Sequence, residues 1–244
     1  MNNAPEKYNS NYLDWKSWGS TDFGQLSFKD RSYFAAELKR LPLDTNQSIS
    51  VMEIGFGNGH FLKFGVEKGW DIIGTEANPH LVNVACDTGF QALHTESLGE
   101  FSSNQYDLVV AFDVLEHIPQ EGLLSFLEEI KRILKPGGIF LGRSPNGDSP
   151  FGLSLQHGDV THITILGSGK IHYFAKQLNM NLLYCRGQAE TLMRRNPIST
   201  LRRLIALFFR KIINGFVFIV FYPNRDFCSE NLSFALQKQS NEGP

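Results

Sequence analysis

Cysteine is scarce in this chain and never closely paired. Cys86, Cys185 and Cys228 lie far apart and form neither a CxxC nor a zinc-like spacing. That argues against a disulfide framework and for a reduced, cytoplasmic protein. Net charge is almost absent as well. The 23 basic and 25 acidic residues leave −2, so nothing pulls the whole molecule toward nucleic acid, and any electrostatic targeting must be local. No apolar run reaches bilayer length. The longest, Ile212 to Tyr222, is interrupted by Asn214 and Gly215 and falls short of the about 20 residues a spanning helix needs. The opening stretch MNNAPEKYNSNYLDW has no apolar h-region, so no secretory signal is expected. Internal repeats and low-complexity tracts are also missing.

What is present suits one α/β domain. The 244 residues, 42% apolar and 20% charged, can bury a substantial core. Helical spacing of Phe28, Tyr33, Phe34, Leu38 and Leu41 predicts a helix stopped by Pro42. Strand-like and helix-like segments then alternate. Strands are expected at Ile49–Ile54, Asp71–Thr75, Phe90–Leu93, Tyr106–Phe112 and Ile139–Gly142. Helices are expected around Phe61–Glu67, from Pro79 and over Gly122–Leu134, with Lys135-Pro-Gly-Gly138 as a tight break. Short connections between such elements predict a parallel sheet covered on both faces, with ligands at the carboxyl ends of its strands.

The chemistry is expected in the loops after the first, second and fourth strands. Gly55-Phe56-Gly57-Asn58-Gly59 follows a strand and opens a helix, and glycines there permit positive φ and close ligand approach. A dinucleotide fingerprint would need glycine at position 60, where His60 stands. The pattern is acidic-x-G-x-G-x-G from Glu53, and an acid beside the loop suits a ligand carrying positive charge rather than phosphate. Glu76, about 20 residues after the first glycine, is placed to accept hydrogen bonds from ribose hydroxyls.

Val51–Gly59, Gly74-Thr-Glu76, the FDVLEHI run ending the fourth strand and Leu134-Lys-Pro-Gly-Gly138 together resemble, in order and spacing, the motifs of class I S-adenosylmethionine-dependent methyltransferases. The resemblance covers roughly Ile49 to Phe140. It implies an α/β, Rossmann-like doubly wound, mostly parallel seven-stranded sheet, with helices on both faces and a helical insertion before the last strand. It also implies S-adenosyl-L-methionine as cofactor. Glu53, Gly55, Phe56, Gly57 and Gly59 would surround the methionine part, Glu76 the ribose, and Ala77 and Asn78 the adenine. Glu96 and Ser97 would read the adenine amino group, with Glu100 as a substitute for Glu96. Asp113 and Val114 would form the floor beneath the sulfonium, and Glu116 and His117 would close the site.

Methyl transfer to oxygen gains from alignment and from a general base, usually histidine. His117 is one candidate. The segment from Ser144 to His162, rich in Gly, Pro, Asn and Asp, supplies others. Its PNGDSPFG and HGD-x-TH runs resemble a subgroup of bacterial methyltransferases of cell-surface glycan synthesis, which implies a small-molecule or glycan acceptor. His162 is the first choice for the base, Asp159 its orienting partner and His157 a weaker contender. Asp159 and Thr161 could instead cap the next segment while His162 packs structurally. His157, Asp159 and His162 could also bind a metal, but nothing requires one, and none is expected.

The remainder divides into a helix at Lys170–Leu178, a strand at Asn181–Tyr184 and a last strand at Leu232–Gln237, expected as an antiparallel edge. Between the last two, Arg194, Arg195, Arg202, Arg203, Arg210 and Lys211 occur with no acid among them. Drawn as a helix, Leu201, Leu204, Ile205, Phe208 and Ile212 share one face, with Arg203 and Arg210 opposite. That face is expected mainly to pack as a lid on the sheet or acceptor site. Residues 194–222 would also suit peripheral contact with the inner face of a membrane. The expected organisation is a single domain: residues 1–42 a cap, 43–190 the cofactor-binding core, 191–230 the insertion and 231–244 the last strand and tail. No nucleic-acid partner is expected. Methylation of a quinone or similar lipophilic acceptor, a non-catalytic cofactor binder and a nicotinamide oxidoreductase are the alternatives, the last disfavoured by His60 and the KPGG turn.

Overall fold

A computed structural model describes residues 22–192, 196–221 and 226–240. Trp15, Trp18, Arg194, Arg195 and Tyr222 lie outside them.

The strands follow from alternation. In β1 (Ser50–Ile54), β4 (Tyr106–Phe112) and β5 (Leu134–Pro145), successive side chains point to opposite faces, and both faces are apolar. Val51, Leu108, Val110, Ile139 and Leu141 enter one core layer; Met52, Val109, Ala111 and Phe140 enter the other. Helices cover each layer. On the first lie α1 (Phe28–Leu38) and α2 (His60–Glu67), through Phe34, Phe61 and Phe64, and α3 (Pro79–Asp87), through Leu81 and Val84. On the second lie α4 (Leu123–Ile133) and α6 (Ser168–Gln177), through Leu127, Ile130, Ile171 and Phe174, with the short α5 (Leu153–Gly158) between them in the chain.

With β2 (Asp71–Glu76), β3 (Ala92–His94), β6 (Met180–Gly187) and β7 (Asn231–Lys238), the sheet has the order β3-β2-β1-β4-β5-β7-β6. The expected seven-stranded, mostly parallel, doubly wound sheet is therefore present. Strand order reverses between β1 and β4, which opens a crevice at their carboxyl ends.

Three expectations about the sheet and the first helix are corrected. β7 is antiparallel to both β5 and β6 and lies between them, so it is not the edge. Leu232, Phe234, Ala235 and Leu236 are buried on both its faces, while β6 exposes Asn181 and Arg186 and takes the edge. The KPGG segment is not a break before a strand but a bulge inside β5. Leu134 pairs with Tyr106 and Ile139 with Leu108, and Gly137 takes φ +79° to absorb the extra residues. The first helix ends at Leu38 rather than Leu41, and Lys39 to Leu41 close it by turn hydrogen bonds.

Gly142 faces Phe234 directly across the β5–β7 ladder, and a Cβ there would stand 2.2 Å from the buried ring. Gly142→Ala is expected to cost about 1–3 kcal/mol through overpacking, read as a lower urea midpoint with unchanged slope.

α7 (Pro197–Val220), 24 residues long and N-capped by Asn196, corrects the expectation of a packed lid. Its polar side faces the protein. Arg203 pairs with Glu190, and Arg210 with Glu190 (3.2 Å) and Glu230 (3.9 Å). Asn214 bonds Asp226 (2.8 Å) and the Cys228 N–H (2.9 Å). Only Val217 of the helix is buried. Among the described residues, no helix is long and apolar enough to cross a membrane.

Candidate active site

The loop between β1 and α2 turns on three glycines. Gly55, Gly57 and Gly59 have φ of +67°, +51° and +71°, a region costly for residues with a Cβ. Two of them also carry a neighbour where that Cβ would be: Val114 Cγ2 at 2.6 Å from Gly55, and the Phe23 ring at 2.5 Å from Gly59. Val114 therefore supports the loop from below. Phe23 covers it from above, edge-on to Phe56 with ring centroids 6.0 Å apart, while the Gly24 N–H donates to the Asn58 carbonyl (2.8 Å).

Two carboxylates flank the loop. Glu76, at the end of β2, accepts from the Gly57 N–H (3.2 Å) and the Asn78 N–H (3.0 Å), and burial raises its pKa. Glu53 is buried to 4% exposure, and burial pushes its pKa well above the ordinary carboxylate value, a nearby Glu76 adding to the shift. Its Oε2 has no hydrogen-bond partner among the described residues, an arrangement that calls for a ligand donor.

Glu53 and the loop form one wall of a cavity of about 550 Å³, which also reaches Asp113, Arg143, Glu116, His117, Asp159 and His162. Asp113, itself at φ +58°, forms an ion pair with Arg143. The guanidinium lies 5.0 Å above both the Tyr33 and Phe112 rings. Burial works against the arginine's charge, but Asp113 and Tyr33 together more than offset it and the Arg143 pKa rises.

The far wall is built where β4 ends. A 3-10 turn, Leu115–His117, presents Glu116 and His117. The Glu116 carbonyl accepts from the N–H groups of Ile163 (2.9 Å) and Thr164 (3.0 Å), which brings the segment after β5 back over this turn. His162 Nε2 then lies 3.6 Å from Asp159 Oδ2 and 3.9 Å from Glu116 Oε1. The rings of His117 and His162 meet edge to face at 4.7 Å. Asp159 serves twice: Oδ1 accepts from the Thr161 N–H (2.9 Å) and hydroxyl (2.6 Å), and Oδ2 faces His162. Thr161 Oγ1 also lies 3.0 Å from His117 Nδ1. Glu116, His117 and His162 each offer a ligand atom within 4.8 Å of the others, a spacing that could hold a metal and that no other group of three His, Cys, Asp or Glu shares among the described residues.

Some expected residues stand elsewhere. Asn78 is buried, and its side chain caps α3 through the N–H groups of His80 and Leu81. The Ala77 carbonyl bonds His94 (3.0 Å). Glu96 and Ser97 are exposed and, like His157, lie outside the cavity. Sequence reasoning missed Arg143, Tyr33, Asp30 and Asn231 in its wall. A charged residue inside the apolar strand FLGRSP was the available signal for Arg143; Asn231, distant in sequence, gave none.

A methyltransferase domain model matches residues 28–208. The chain belongs to this methyltransferase family. The methyl donor of class I methyltransferases is S-adenosylmethionine, and the orphaned Glu53 oxygen beside the positive-φ glycines fits its ammonium. Among curated relatives, the mouse tRNA (carboxymethyluridine(34)-5-O)-methyltransferase ALKBH8 is 33% identical over 90 residues, 36% of this methyltransferase and 13% of the relative. The ubiquinone biosynthesis O-methyltransferase of Acinetobacter baylyi is 25% identical over 97 residues, 36% and 40% of the two chains. The methyltransferase thus matches less than half the length of either. A SAM-dependent methyltransferase structure from Archaeoglobus fulgidus superposes over 94% of this chain and 100% of its own with a TM-score of 0.66 at 19% identity, which shows the shared fold.

Proposed function

We propose that this methyltransferase is an O-methyltransferase acting on a sugar hydroxyl of a surface polysaccharide or its lipid-linked precursor. The observation that carries the reading is the imidazole of His162, set on the cavity wall between Asp159 and Glu116. A sugar hydroxyl is a weak nucleophile and gains from a base as its oxygen attacks. In this reading the hydroxyl proton passes to His162, and the two carboxylates stabilise the imidazolium that forms. S-adenosylmethionine, when bound, supplies an electrophilic methyl group. Glu53 would hold its ammonium and Glu76 its ribose, so that the chain's work is alignment and proton removal.

Polar groups elsewhere on the wall, among them Asp30, Asn58, Ser154 and Asn231, suit an acceptor with several hydroxyls. The wall carries five carboxylates, those of Asp30, Glu53, Asp113, Glu116 and Asp159, and among its described residues a single arginine. That sign suits a cationic donor and disfavours a phosphate-rich nucleic acid. Free Cys86, Cys185 and Cys228 suit a reducing, cytoplasmic setting.

A second reading, methylation of a quinone-type phenol, is favoured by exposed Phe151, Leu153 and Leu155, of which Leu155 lines the cavity. It is also favoured by the ubiquinone-pathway relatives. The test is release of S-adenosylhomocysteine with soluble glycans, lipid-linked glycans and quinone precursors, followed by mapping of the methylated oxygen. Methylation of a sugar hydroxyl is the expected result. Turnover with the phenol alone would select the second reading, and donor binding without turnover on any acceptor would leave a binding protein.

A further inference from the structure

We propose that α7 is an in-plane anchor that seats the methyltransferase on an anionic lipid surface. The helix is amphipathic, yet it is mounted with its polar side toward the protein. At about 100° per residue, Arg203, Arg210, Asn214 and Val217 form the inner row that meets Glu190, Asp226, Cys228 and Glu230. On the opposite pole stand Leu201, Ile205, Phe208, Ile212, Phe216 and Ile219, all exposed, with Phe208 at 61%, Phe216 at 64% and Ile219 at 82%. An apolar stripe running the length of a 24-residue helix, about 36 Å, is well beyond the scattered apolar exposure of an ordinary surface.

The flanking charge identifies the occupant. Arg202 and Lys211 are exposed, and each lies about a quarter turn from the outer row, on opposite sides. No acidic residue occurs from Thr191 to Arg225. Cations flanking an apolar pole, with no acids, match a headgroup region of negative charge with the outer row in the acyl boundary. A second copy of the helix fits this pattern poorly, because pairing through the same row would set cations beside cations with no acid to answer them. The anchor is also tied to the cavity. Arg210 pairs with Glu230, whose neighbour Asn231 lines the wall.

This inference holds for a glycan or a quinone acceptor alike, since flotation needs no acceptor. The test uses the full chain with vesicles of phosphatidylcholine alone and of phosphatidylcholine with phosphatidylglycerol. The parent is expected to float with the anionic vesicles, to bind neutral ones roughly tenfold more weakly, and to be released by salt. Phe208→Ser/Phe216→Ser/Ile219→Ser should abolish flotation, and Arg202→Glu/Lys211→Glu should remove the anionic preference. Unchanged S-adenosylmethionine binding by calorimetry would show both variants folded. A parent that stays with the soluble fraction overturns the proposal. So does a concentration-dependent dimer, without flotation, that the serine variant dissolves; the face would then be a self-interface.

Discussion

His162→Ala is expected to lower kcat by about a hundredfold to ten-thousandfold, the span usual for loss of a general base, with little change in donor affinity. The imidazole is the basic group set between two carboxylates, Asp159 at 3.6 Å and Glu116 at 3.9 Å. Its removal would take away the proposed proton acceptor and leave the glycine loop intact. Asp159→Asn is expected to cost less. It keeps the cap on Thr161 and removes only the charge that favours the imidazolium. His117→Ala should also cost less, because His117 is held to Thr161 as part of the wall. Steady-state kinetics on the three variants would decide the assignment. Full activity in His162→Ala beside none in His117→Ala would move the base to His117.

Glu53→Gln is expected to weaken S-adenosylmethionine binding on the order of a hundredfold, since the buried carboxylate proposed to hold the ligand ammonium would lose its charge. Its pH dependence gives a second reading. Burial raises the Glu53 pKa, so the ligand-free protein keeps a proton there at a pH where an ordinary carboxylate is ionised. An ammonium ligand needs the ionised form. The Kd should therefore rise as pH falls through this raised pKa, beginning above the ordinary carboxylate range, and Glu53→Gln should flatten that limb. Stability moves the other way. A folded-state pKa above the unfolded value of 4.5 favours the native state at low pH, and this contribution is lost as pH climbs from the unfolded pKa through the folded one. At neutral pH Glu53→Gln should accordingly raise the melting temperature of the ligand-free protein while damaging its affinity. Calorimetry across pH, with thermal unfolding of both proteins, would check both signs. Equal affinity of the two proteins at all pH values would remove Glu53 from the ammonium site.

The fold was legible where one local rule governed each segment. Two-faced apolar strands such as Tyr106–Phe112 and the positive-φ glycines could be read directly, because burial and steric permission are written in the residues themselves. Features that depend on a distant partner were hidden. β7 could be seen to be a strand, but its place between β5 and β6 follows from which neighbours bury Phe234. For α7 the helical wheel separated Arg203 and Arg210 from the apolar residues correctly. Which side meets the protein was decided by Glu190 and Glu230, outside the helix. At the site, Gly55, Gly57, Glu53, His117, Asp159 and His162 come together around one cavity. Arg143 joins them because β5 pairs with β4, and Asn231 because β7 pairs with β5.

The hydrogen bonds from Ile163 and Thr164 to the Glu116 carbonyl divide the long segment after β5 into two parts held in different ways. Position 162 takes its register from the end of the fourth strand, the same turn that carries Glu116 and His117 into the cavity wall. Residues 151–158 line or border the cavity but are not held by that carbonyl. The exposed residues among them, such as Leu153, Ser154, Leu155 and His157, can change chemistry without moving His162, whereas Gly152, with no room for a Cβ, and buried Gln156 cannot.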